Sequence, residues 1–185
     1  MVVVKTAREL SKMKDACRIS AEALHVAGEA VKPGVTTYEI DNIVRSYIEK
    51  QGAVPSFLGY GGFPASACIS VNNVVIHGIP SYALVFHEGD IVSVDVGAFY
   101  GGFHGDNAFT FPCGKISADA QALLDATKES LYEGIKQALA FNRVGDIGNA
   151  VQKYVEARSY SVVRDFVGHG VGAKLHEDPS VPNYG

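Results

Sequence analysis

Two stretches of alternating apolar and polar residues, joined by a glycine-containing segment, constrain the fold of this chain more than any other feature. Residues 90–96 place three valines on one face and Asp95 on the other, and residues 106–111 continue the alternation from Asp106. A period of two predicts half-buried strands, and the glycines between them predict a hairpin turn. In a symmetric hairpin Asp95 would lie directly opposite Asp106, with Cβ atoms about 5 Å apart. A bulge would shift this register by one residue.

Two facing carboxylates in an apolar strand pair repel each other and resist burial, so their charge needs compensation. Hard oxygen ligands at this separation suit a pair of divalent cations bridged by one carboxylate. A shared proton or a basic neighbour would also compensate the charge, and an edge strand would leave one aspartate exposed to solvent. The spacing therefore predicts a cation site at Asp95 and Asp106, while these other arrangements stay open.

Helices are predicted on both sides of this hairpin. Thr6 with Glu9, and Thr36 with Glu39, form capping-box patterns, each of which predicts the start of a helix. The predicted helices cover residues 7–31, 37–50, 118–140 and 146–157. Further strands are predicted over residues 67–71, 74–77 and 161–167. We therefore expect a mixed α/β (α+β) fold.

A weak internal repeat links two of these helices. A shift of 107 residues superposes identical residues, namely Ile40 on Ile147, Asn42 on Asn149, Val44 on Val151, Tyr47 on Tyr154 and Glu49 on Glu156. Amphipathic helices share such patterns by chance, so this observation supports a duplication and a coincidence equally. If the repeat is real, the counterparts of Asp95 and Asp106 would fall beyond Gly185, and the second half would be unfinished.

Composition narrows the cellular context. A chain of 185 residues with 47% apolar residues suits one domain with a substantial core. The net charge of -4 provides no basic stripe, so nucleic acid is not expected as a partner. No apolar run reaches the length of a membrane span, and the first residues do not resemble a signal peptide. Three widely spaced cysteines, Cys17, Cys68 and Cys113, form no CxxC pair and predict a reducing compartment, the cytoplasm.

Three of the six histidines lie in restricted contexts. His77 ends an apolar run, His169 is flanked by glycines that allow close backbone approach, and His176 follows seven residues later. Neutral imidazole ligates transition metals and donates hydrogen bonds to developing oxyanions. Taken singly, each is more often a structural or surface histidine. The structural interpretation is retained for the other three, His25, His87 and His104.

Taken together, these segments resemble the methionine aminopeptidase family over essentially the whole chain. The matching segments are residues 66–73, 77–80, 89–97, 105–106, 168–172 and 176–179. The sequences of the last two segments are typical of the type I branch of the family, in its short bacterial form. The resemblance implies a pita-bread fold, in which helices cover a curved antiparallel sheet and the two halves are related by a pseudo-two-fold repeat.

The resemblance also implies roles for individual polar residues. Asp95 would bind one divalent ion, Asp106 would bridge both ions, and His169 would bind the second ion. His77 and His176 would act as catalytic residues that contact the substrate peptide. His176 would donate a hydrogen bond to the scissile carbonyl oxygen and stabilise the tetrahedral intermediate.

A substrate pocket and a reaction are implied as well. Tyr60, Phe63 and Cys68 would form a soft, mostly apolar surface suited to a thioether, although ordinary packing would also explain them. The reaction would be hydrolysis of the first peptide bond by a metal-bridging hydroxide, which removes initiator methionine from nascent chains. The cofactors would be two divalent ions, of Co, Mn, Fe, Zn or Ni. The implied partners are N-terminal methionine peptides near the ribosome, and the complete protein would be a monomer.

The family pattern is not complete within these residues. Members carry two further metal-binding glutamates, which are expected beyond Gly185. We therefore expect one catalytic domain, residues 1–185, that lacks its last strands and is weakly active or inactive at this length. A shortened chain, a chain completed by a second polypeptide and a natural remnant would all fit. Two other functions stay open: a non-catalytic pita-bread binding module, and a prolidase-type peptidase, although prolidases usually bear an additional N-terminal domain.

Overall fold

A computed structural model describes all residues from Met1 to Gly185. The helices are α1 (Ala7–Ala30), α2 (Thr37–Lys50), α3 (Ala118–Lys136) and α4 (Val144–Glu156). The strands are β1 (Val54–Pro55), β2 (Ala67–Val71), β3 (Ile91–Tyr100), β4 (Phe103–Pro112), β5 (Gly168–Gly170) and β6 (Glu177–Val181). A short 3₁₀ turn covers Tyr60–Gly62. None of the helices combines the length and the apolar character needed to cross a membrane.

The chain divides into two compact units. The larger unit comprises Val4–Ile116 and Val171–Leu175, and the smaller unit comprises Met1–Val3, Ser117–Gly170 and His176–Gly185. The larger unit contains α1, α2 and the strands β1 to β4, whereas the smaller unit contains α3, α4, β5 and β6. Each unit therefore combines a pair of helices with antiparallel strands.

Strand β3 is the centre of the sheet in the larger unit. It pairs with β4 along its full length on one side, and with β2 and the short β1 on the other. One face of β3 presents Val92, Val94 and Val96, which are completely buried in the core. Helices α1 and α2 supply the opposite wall of this core, with Ile19, Ile40, Val44 and Ile48 among its buried side chains. The alternation predicted from the valines is confirmed, and the other face of β3 is left for the polar residues.

Both predicted capping boxes form. Thr6 accepts a hydrogen bond from the Glu9 backbone N–H at 3.3 Å, and Thr36 accepts one from Glu39 N–H at 3.2 Å. In return, the two glutamate side chains accept from the threonine backbone N–H groups. Helix α1 ends one residue before its predicted end, and α2 has the predicted bounds. Local side-chain chemistry fixes these helix starts.

The predicted register of the central hairpin is wrong. Gly101 and Gly102, with φ of 61° and 90°, form a two-residue turn in which both residues are left-handed, as this turn class requires. Asp95 consequently pairs with Ala108, and Asp106 pairs with Gly97. The two aspartates still lie on the same face, as diagonal rather than direct neighbours, because their pairing is displaced by an even number of residues.

Two of the predicted strands are absent. After β2 the chain turns at Asn72, whose φ of 54° is incompatible with an extended strand, and Val74 N–H closes the turn on Val71 O at 3.1 Å. The apolar run at residues 74–77 is therefore an exposed loop. Residues 161–167 form no helix or strand and contain a bend, and β-pairing starts only at Gly168. Apolar runs alone did not distinguish a strand from a loop here.

The smaller unit is built around α3 and α4. The helices approach closely at Gly134, where a Cβ would lie 2.9 Å from Val151 Cγ2. Helix α3 ends at Lys136, four residues before its predicted end, and α4 begins at Val144, two residues before its predicted start. The 107-residue shift that relates the repeated residues places the start of α2 on the start of α4. This correspondence supports the internal repeat.

Candidate metal and substrate site

The two predicted acidic ligands lie together on the face of the larger unit's sheet that is opposite the valine core. Asp95 on β3 pairs with Cys68 on β2 and with Ala108 on β4, and Asp106 pairs with Gly97. Both carboxyl groups are half-buried. The regular ten-residue pairing of β3 with β4 therefore holds the two acids side by side.

The environment of Asp95 strongly perturbs its ionisation. Burial raises the pKa of Asp95 to about 7, with further contributions from the charge of Asp106 and a hydrogen bond between the two carboxyl groups. The backbone N–H of Val96 opposes this rise. The pair therefore resists carrying two negative charges unless a proton or a cation compensates them. Carboxylate oxygens in this state fit a divalent cation, which would replace the proton.

An apolar pocket wall lies next to the acids. Cys68 is 6% exposed, and it packs with Phe57, Leu175 and the partly buried Phe63. Burial, followed by the charges of Asp95 and Asp106, raises the pKa of the Cys68 thiol to about 12, so the thiol is neutral. Two of the three predicted pocket residues, Phe63 and Cys68, thus share one cluster.

The third predicted pocket residue occupies a more open position. Tyr60 is 51% exposed on the 3₁₀ turn, where its backbone N–H donates to Phe57 O at 3.0 Å and its carbonyl accepts from Phe63 N–H at 2.9 Å. Its backbone therefore connects two members of the apolar cluster, although its ring does not belong to that cluster's buried part.

A glycine opposite Asp106 makes room for this wall. An added Cβ on Gly97 would lie 2.6 Å from Phe57 Cε1 and 2.7 Å from Ser56 Cβ, so only glycine allows the segment to lie this close to β3. Ser56 N–H donates to Gly97 O at 2.9 Å, and Ser56 Oγ lies 2.8 Å from His104 Nδ1. His104 lies two residues before Asp106 on the same face of β4. The sequence predicted no functional role for His104 or Phe57. For His104, the spacing of two residues from Asp106 was a signal that could have indicated the site.

His77 is also in the larger unit, on the loop that follows β2. Its φ of 58° is left-handed, and its side chain is exposed. The next residue, Gly78, is attached to β2: Ile69 N–H donates to Gly78 O at 2.9 Å, and Gly78 N–H donates to Ser70 Oγ at 3.1 Å. These two hydrogen bonds hold His77 beside the strand that carries Cys68.

The other two predicted histidines lie in the smaller unit. The rings of His169 and His176 stack with their centroids 3.9 Å apart. His169 Nδ1 lies 3.0 Å from Gly170 O, and because a carbonyl accepts, Nδ1–H is the donor of this hydrogen bond. A metal-ligating histidine commonly donates its other ring N–H to a backbone carbonyl in this way.

The predicted metal ligands are thus divided between the units, with Asp95 and Asp106 in the larger and His169 in the smaller. No group of three or more histidine, cysteine, aspartate or glutamate side chains is arranged to hold a metal ion. The acid pair fits a cation by its charge and its donor type. The participation of His169, and the catalytic roles of His77 and His176, stay predictions.

Known proteins resemble this chain over its whole length. A methionine aminopeptidase of Clostridium acetobutylicum is 51% identical over 185 residues, which are 100% of this chain and 74% of the relative. The crystal structure of a methionine aminopeptidase from Thermotoga maritima superposes with a TM-score of 0.98 at 43% identity, again covering 100% of this chain and 74% of the other. The model of metallopeptidase family M24 matches residues 11–185.

The chain belongs to metallopeptidase family M24. Its resemblance to type I methionine aminopeptidases is confirmed, and so is the pita-bread fold. The prolidase of Pyrococcus furiosus shares this fold with a TM-score of 0.87, covering 98% of this chain and 52% of the prolidase, but at 22% identity the likeness concerns the fold alone. Members of family M24 are metal-dependent hydrolases, so divalent metal ions are the cofactors implied for this M24 chain.

Proposed function

We propose that residues Met1–Gly185 belong to one catalytic domain that removes the N-terminal methionine from peptides by metal-dependent hydrolysis. The observation that carries this proposal is the coupled pair of Asp95 and Asp106 next to the apolar wall around Cys68, in a chain about half identical to methionine aminopeptidases. An acid pair beside an apolar pocket suits a metal-dependent reaction at a bond next to an apolar side chain.

Asp95, Asp106 and His169 are the residues that would hold the divalent ions. Carboxylate and imidazole donors together suit Mn, Fe, Co, Ni or Zn, and this donor set does not select among them. When bound, such ions would supply an activated water and polarise the carbonyl of the first peptide bond. The pKa of Asp95, raised to about 7, means that the acid pair gives up a proton when it accepts a cation near neutral pH.

The protein side chains would recognise and orient the substrate. The wall of Phe63 and Cys68, with Tyr60 at its open side, would receive the methionine side chain, because a neutral thiol and aromatic rings make favourable contacts with a thioether. His77 and His176 would contact the peptide, and His176 would donate a hydrogen bond to the carbonyl oxygen of the scissile bond as negative charge develops there.

The biological setting follows from this activity. The substrates would be N-terminal methionine peptides and nascent chains in the cytoplasm, met as they leave the ribosome, and the enzyme would act as a monomer. Nucleic acid and membranes are not partners in this proposal. A prolidase activity is not favoured, because the likeness to prolidases is limited to the fold, whereas the chain is 51% identical to a methionine aminopeptidase over its whole length.

The test is release of free methionine from a Met-Ala-Ser peptide by the metal-free chain supplemented with Mn²⁺ or Co²⁺. The proposal expects metal-dependent release by a version extended to the length of the C. acetobutylicum relative, with weak release or none by this chain. Release should be abolished in an Asp106→Asn variant of the extended version, which should not cleave a Gly-Pro dipeptide. An absence of methionine release both by this chain and by a version extended to the length of the C. acetobutylicum relative would refute it. Cleavage of Gly-Pro in preference to Met-Ala-Ser would favour the prolidase alternative instead.

A further inference from the structure

A buried carboxylate outside the acid pair holds the beginning of β2. Asp41 on α2 is 7% exposed, and its Oδ1 accepts hydrogen bonds from Ser66 N–H at 2.7 Å and Ala67 N–H at 2.8 Å. Burial raises the pKa of Asp41, and these two N–H groups oppose the rise. A buried acid is costly to keep unless its hydrogen bonds perform a task that an apolar residue would not.

The hydrogen bonds on the outer side of β2 indicate what Asp41 does. Strand β2 lies at the edge, with β3 on its inner side and no strand on its outer side. Two of its outward N–H groups are nevertheless satisfied: Ala67 donates to Asp41, and Ile69 donates to Gly78 O at 2.9 Å. Asp41 and Gly78 therefore replace a neighbouring strand, one at each end of a short stretch whose middle residue is Cys68.

Cys68 is the residue that this arrangement fixes. It lies between the two anchored residues, and on the inner side it pairs with Asp95. Its position decides how closely the pocket wall of Phe57, Phe63 and Leu175 approaches the acid pair. Without the hydrogen bonds from Asp41, the first residues of β2 would be held only by their pairing with β3. These residues would then separate from the sheet more readily.

We propose that Asp41 is a positioning residue, which fixes Cys68 against Asp95 by holding the backbone of Ser66 and Ala67. The consequence for substrate binding rests on the proposed function, but the positioning itself does not. Asp41 donates and accepts no hydrogen bond at the acids or the pocket, and its hydrogen bonds go to the start of β2. Its charge also helps to raise the pKa of Cys68, after burial and the charges of Asp95 and Asp106. The Asp41→Asn variant removes this charge as Asp41→Ala does, so a difference between the two variants reports the hydrogen bonds. The competing explanation is that Asp41 merely contributes to the overall stability of the larger unit.

The three cysteines provide a direct test, because they report on different places. Cys17 is exposed, Cys68 lies at the proposed site, and Cys113 is completely buried in the main core of the same unit. The rate of alkylation by N-ethylmaleimide would be measured for each cysteine by peptide mass spectrometry at a fixed pH. Cys17 reports the activity of the reagent, and Cys113 reports general opening of the core.

In an Asp41→Ala variant, two buried N–H groups lose their acceptor, and we expect Cys68 to be alkylated about tenfold faster, with Cys113 unchanged. An Asp41→Asn variant keeps a carbonyl oxygen that accepts both hydrogen bonds, and it should stay within about twofold of the unmodified chain. A rise of Cys68 and Cys113 together, or no change at Cys68 in Asp41→Ala, would overturn the proposal.

Two control variants separate positioning from stability. Ser66→Ala removes a buried hydroxyl that has no hydrogen-bond partner while it keeps the backbone N–H, so Cys68 alkylation should not change. Glu39→Ala removes the side chain that accepts from Thr36 N–H at the start of the helix that carries Asp41, and it should lower stability without a selective effect on Cys68. A selective rise of Cys68 alkylation in Glu39→Ala, equal to that in Asp41→Ala, would show that loosening α2 is sufficient and would contradict the proposal.

Hydrogen exchange gives a measurement on the unmodified chain, which does not depend on whether a variant folds. The amides of Ser66 and Ala67 should be protected as strongly as that of Ile69, which donates to Gly78. Exchange at the rate of an exposed loop would overturn the proposal.

Activity gives the last readout. In the metal-supplemented chain, Asp41→Ala should raise KM for Met-Ala-Ser at least about fivefold with a smaller change in kcat, and Asp41→Asn should restore KM. An equal loss in kcat with unchanged KM would overturn the effect on the pocket. If neither this chain nor a version extended to the length of the C. acetobutylicum relative releases methionine, the proposed function fails, while the alkylation of Cys68 still decides whether Asp41 positions it.

Discussion

The acid pair and the histidine pair of this molecule are held in very different ways. Asp95 and Asp106 lie within two ten-residue strands that pair without interruption. His169 and His176 lie on or next to the short strands β5 and β6, whose three pairs are interrupted by a register shift after His169. Long regular pairing fixes the relative position of two side chains through many hydrogen bonds, whereas a short irregular pair depends on individual contacts such as the stacking of the two rings.

The first prediction compares the contribution to catalysis of Asp106 in the larger unit with that of His169 in the smaller unit. Asp106→Asn should reduce methionine release more than about 100-fold, because loss of a ligand exceeds the 10- to 100-fold effect typical of groups that only support ligands. His169→Ala should have a smaller effect, since Asp106 is proposed to bridge both ions and His169 to bind one. The measurement is kcat/KM for Met-Ala-Ser at saturating Mn²⁺. A larger loss of kcat/KM in His169→Ala than in Asp106→Asn would contradict this order.

The second prediction concerns the stability of the metal-free chain against pH. The pKa of Asp95 is raised in the folded chain, so the folded state binds more protons than the unfolded state between the usual pKa of an aspartate and about 7. The contribution of the pair is therefore fully present at low pH and is lost as pH rises through this window. Urea unfolding at pH 5 and pH 8 should show this fall, and Asp95→Asn should remove it. An unchanged slope in Asp95→Asn would show that the acid pair is not its source.

The third prediction compares close glycine contacts. Gly97→Ala should lower the free energy of unfolding by about 1–3 kcal/mol, because the new methyl group would collide with Phe57 and Ser56. The matched change in the smaller unit is Gly145→Ala on α4, where nothing lies within 4 Å of the added Cβ. It should leave stability unchanged or raise it by at most about 0.5 kcal/mol, because alanine is the better helix former but Gly145 lies in the first turn of α4. Urea titration of both variants measures this, and equal effects would contradict the role given to Gly97.

The fourth prediction is the smallest and concerns helix starts. Thr36→Ala at α2 and Ser117→Ala at α3 should each lower the free energy of unfolding by about 1 kcal/mol. Thr36 also takes part in a full capping box, so its replacement should cost more than that of Ser117. Chemical denaturation of the two variants tests the order. A larger effect at Ser117 would show that the reciprocal contact of Glu39 adds nothing.

The sequence predicted features that depend on neighbouring residues and missed those that depend on distant ones. The start of α2 was predicted because Thr36 and Glu39 lie within one turn of each other. The register of β3 on β4 was missed, because it depends on the left-handed conformation of both Gly101 and Gly102, which composition alone does not impose. The strand expected at residues 74–77 was wrong for a similar reason, since the turn at Asn72 precedes it.

In the candidate site, too, sequence motifs were predictable, whereas contacts between distant residues were not. Its acids, histidines and pocket residues were identified from the motifs and from the resemblance that they carry. The hydrogen bonds of Asp41 to Ser66 and Ala67 join residues 25 and 26 positions apart, and no local pattern indicates such a contact. The same holds for the contact between His104 and Ser56, which are 48 positions apart.

The adjacent carboxyl groups of Asp95 and Asp106 are proposed to bind divalent cations. Calorimetric titration of the metal-free chain with Mn²⁺ measures this binding, in buffers of different ionisation enthalpy so that released protons are counted. Binding should release more protons at pH 6 than at pH 8, because the pair holds a proton below the raised pKa of Asp95, and it should be lost in Asp106→Asn. No Mn²⁺ binding, or binding that Asp106→Asn leaves unchanged, would contradict this proposal.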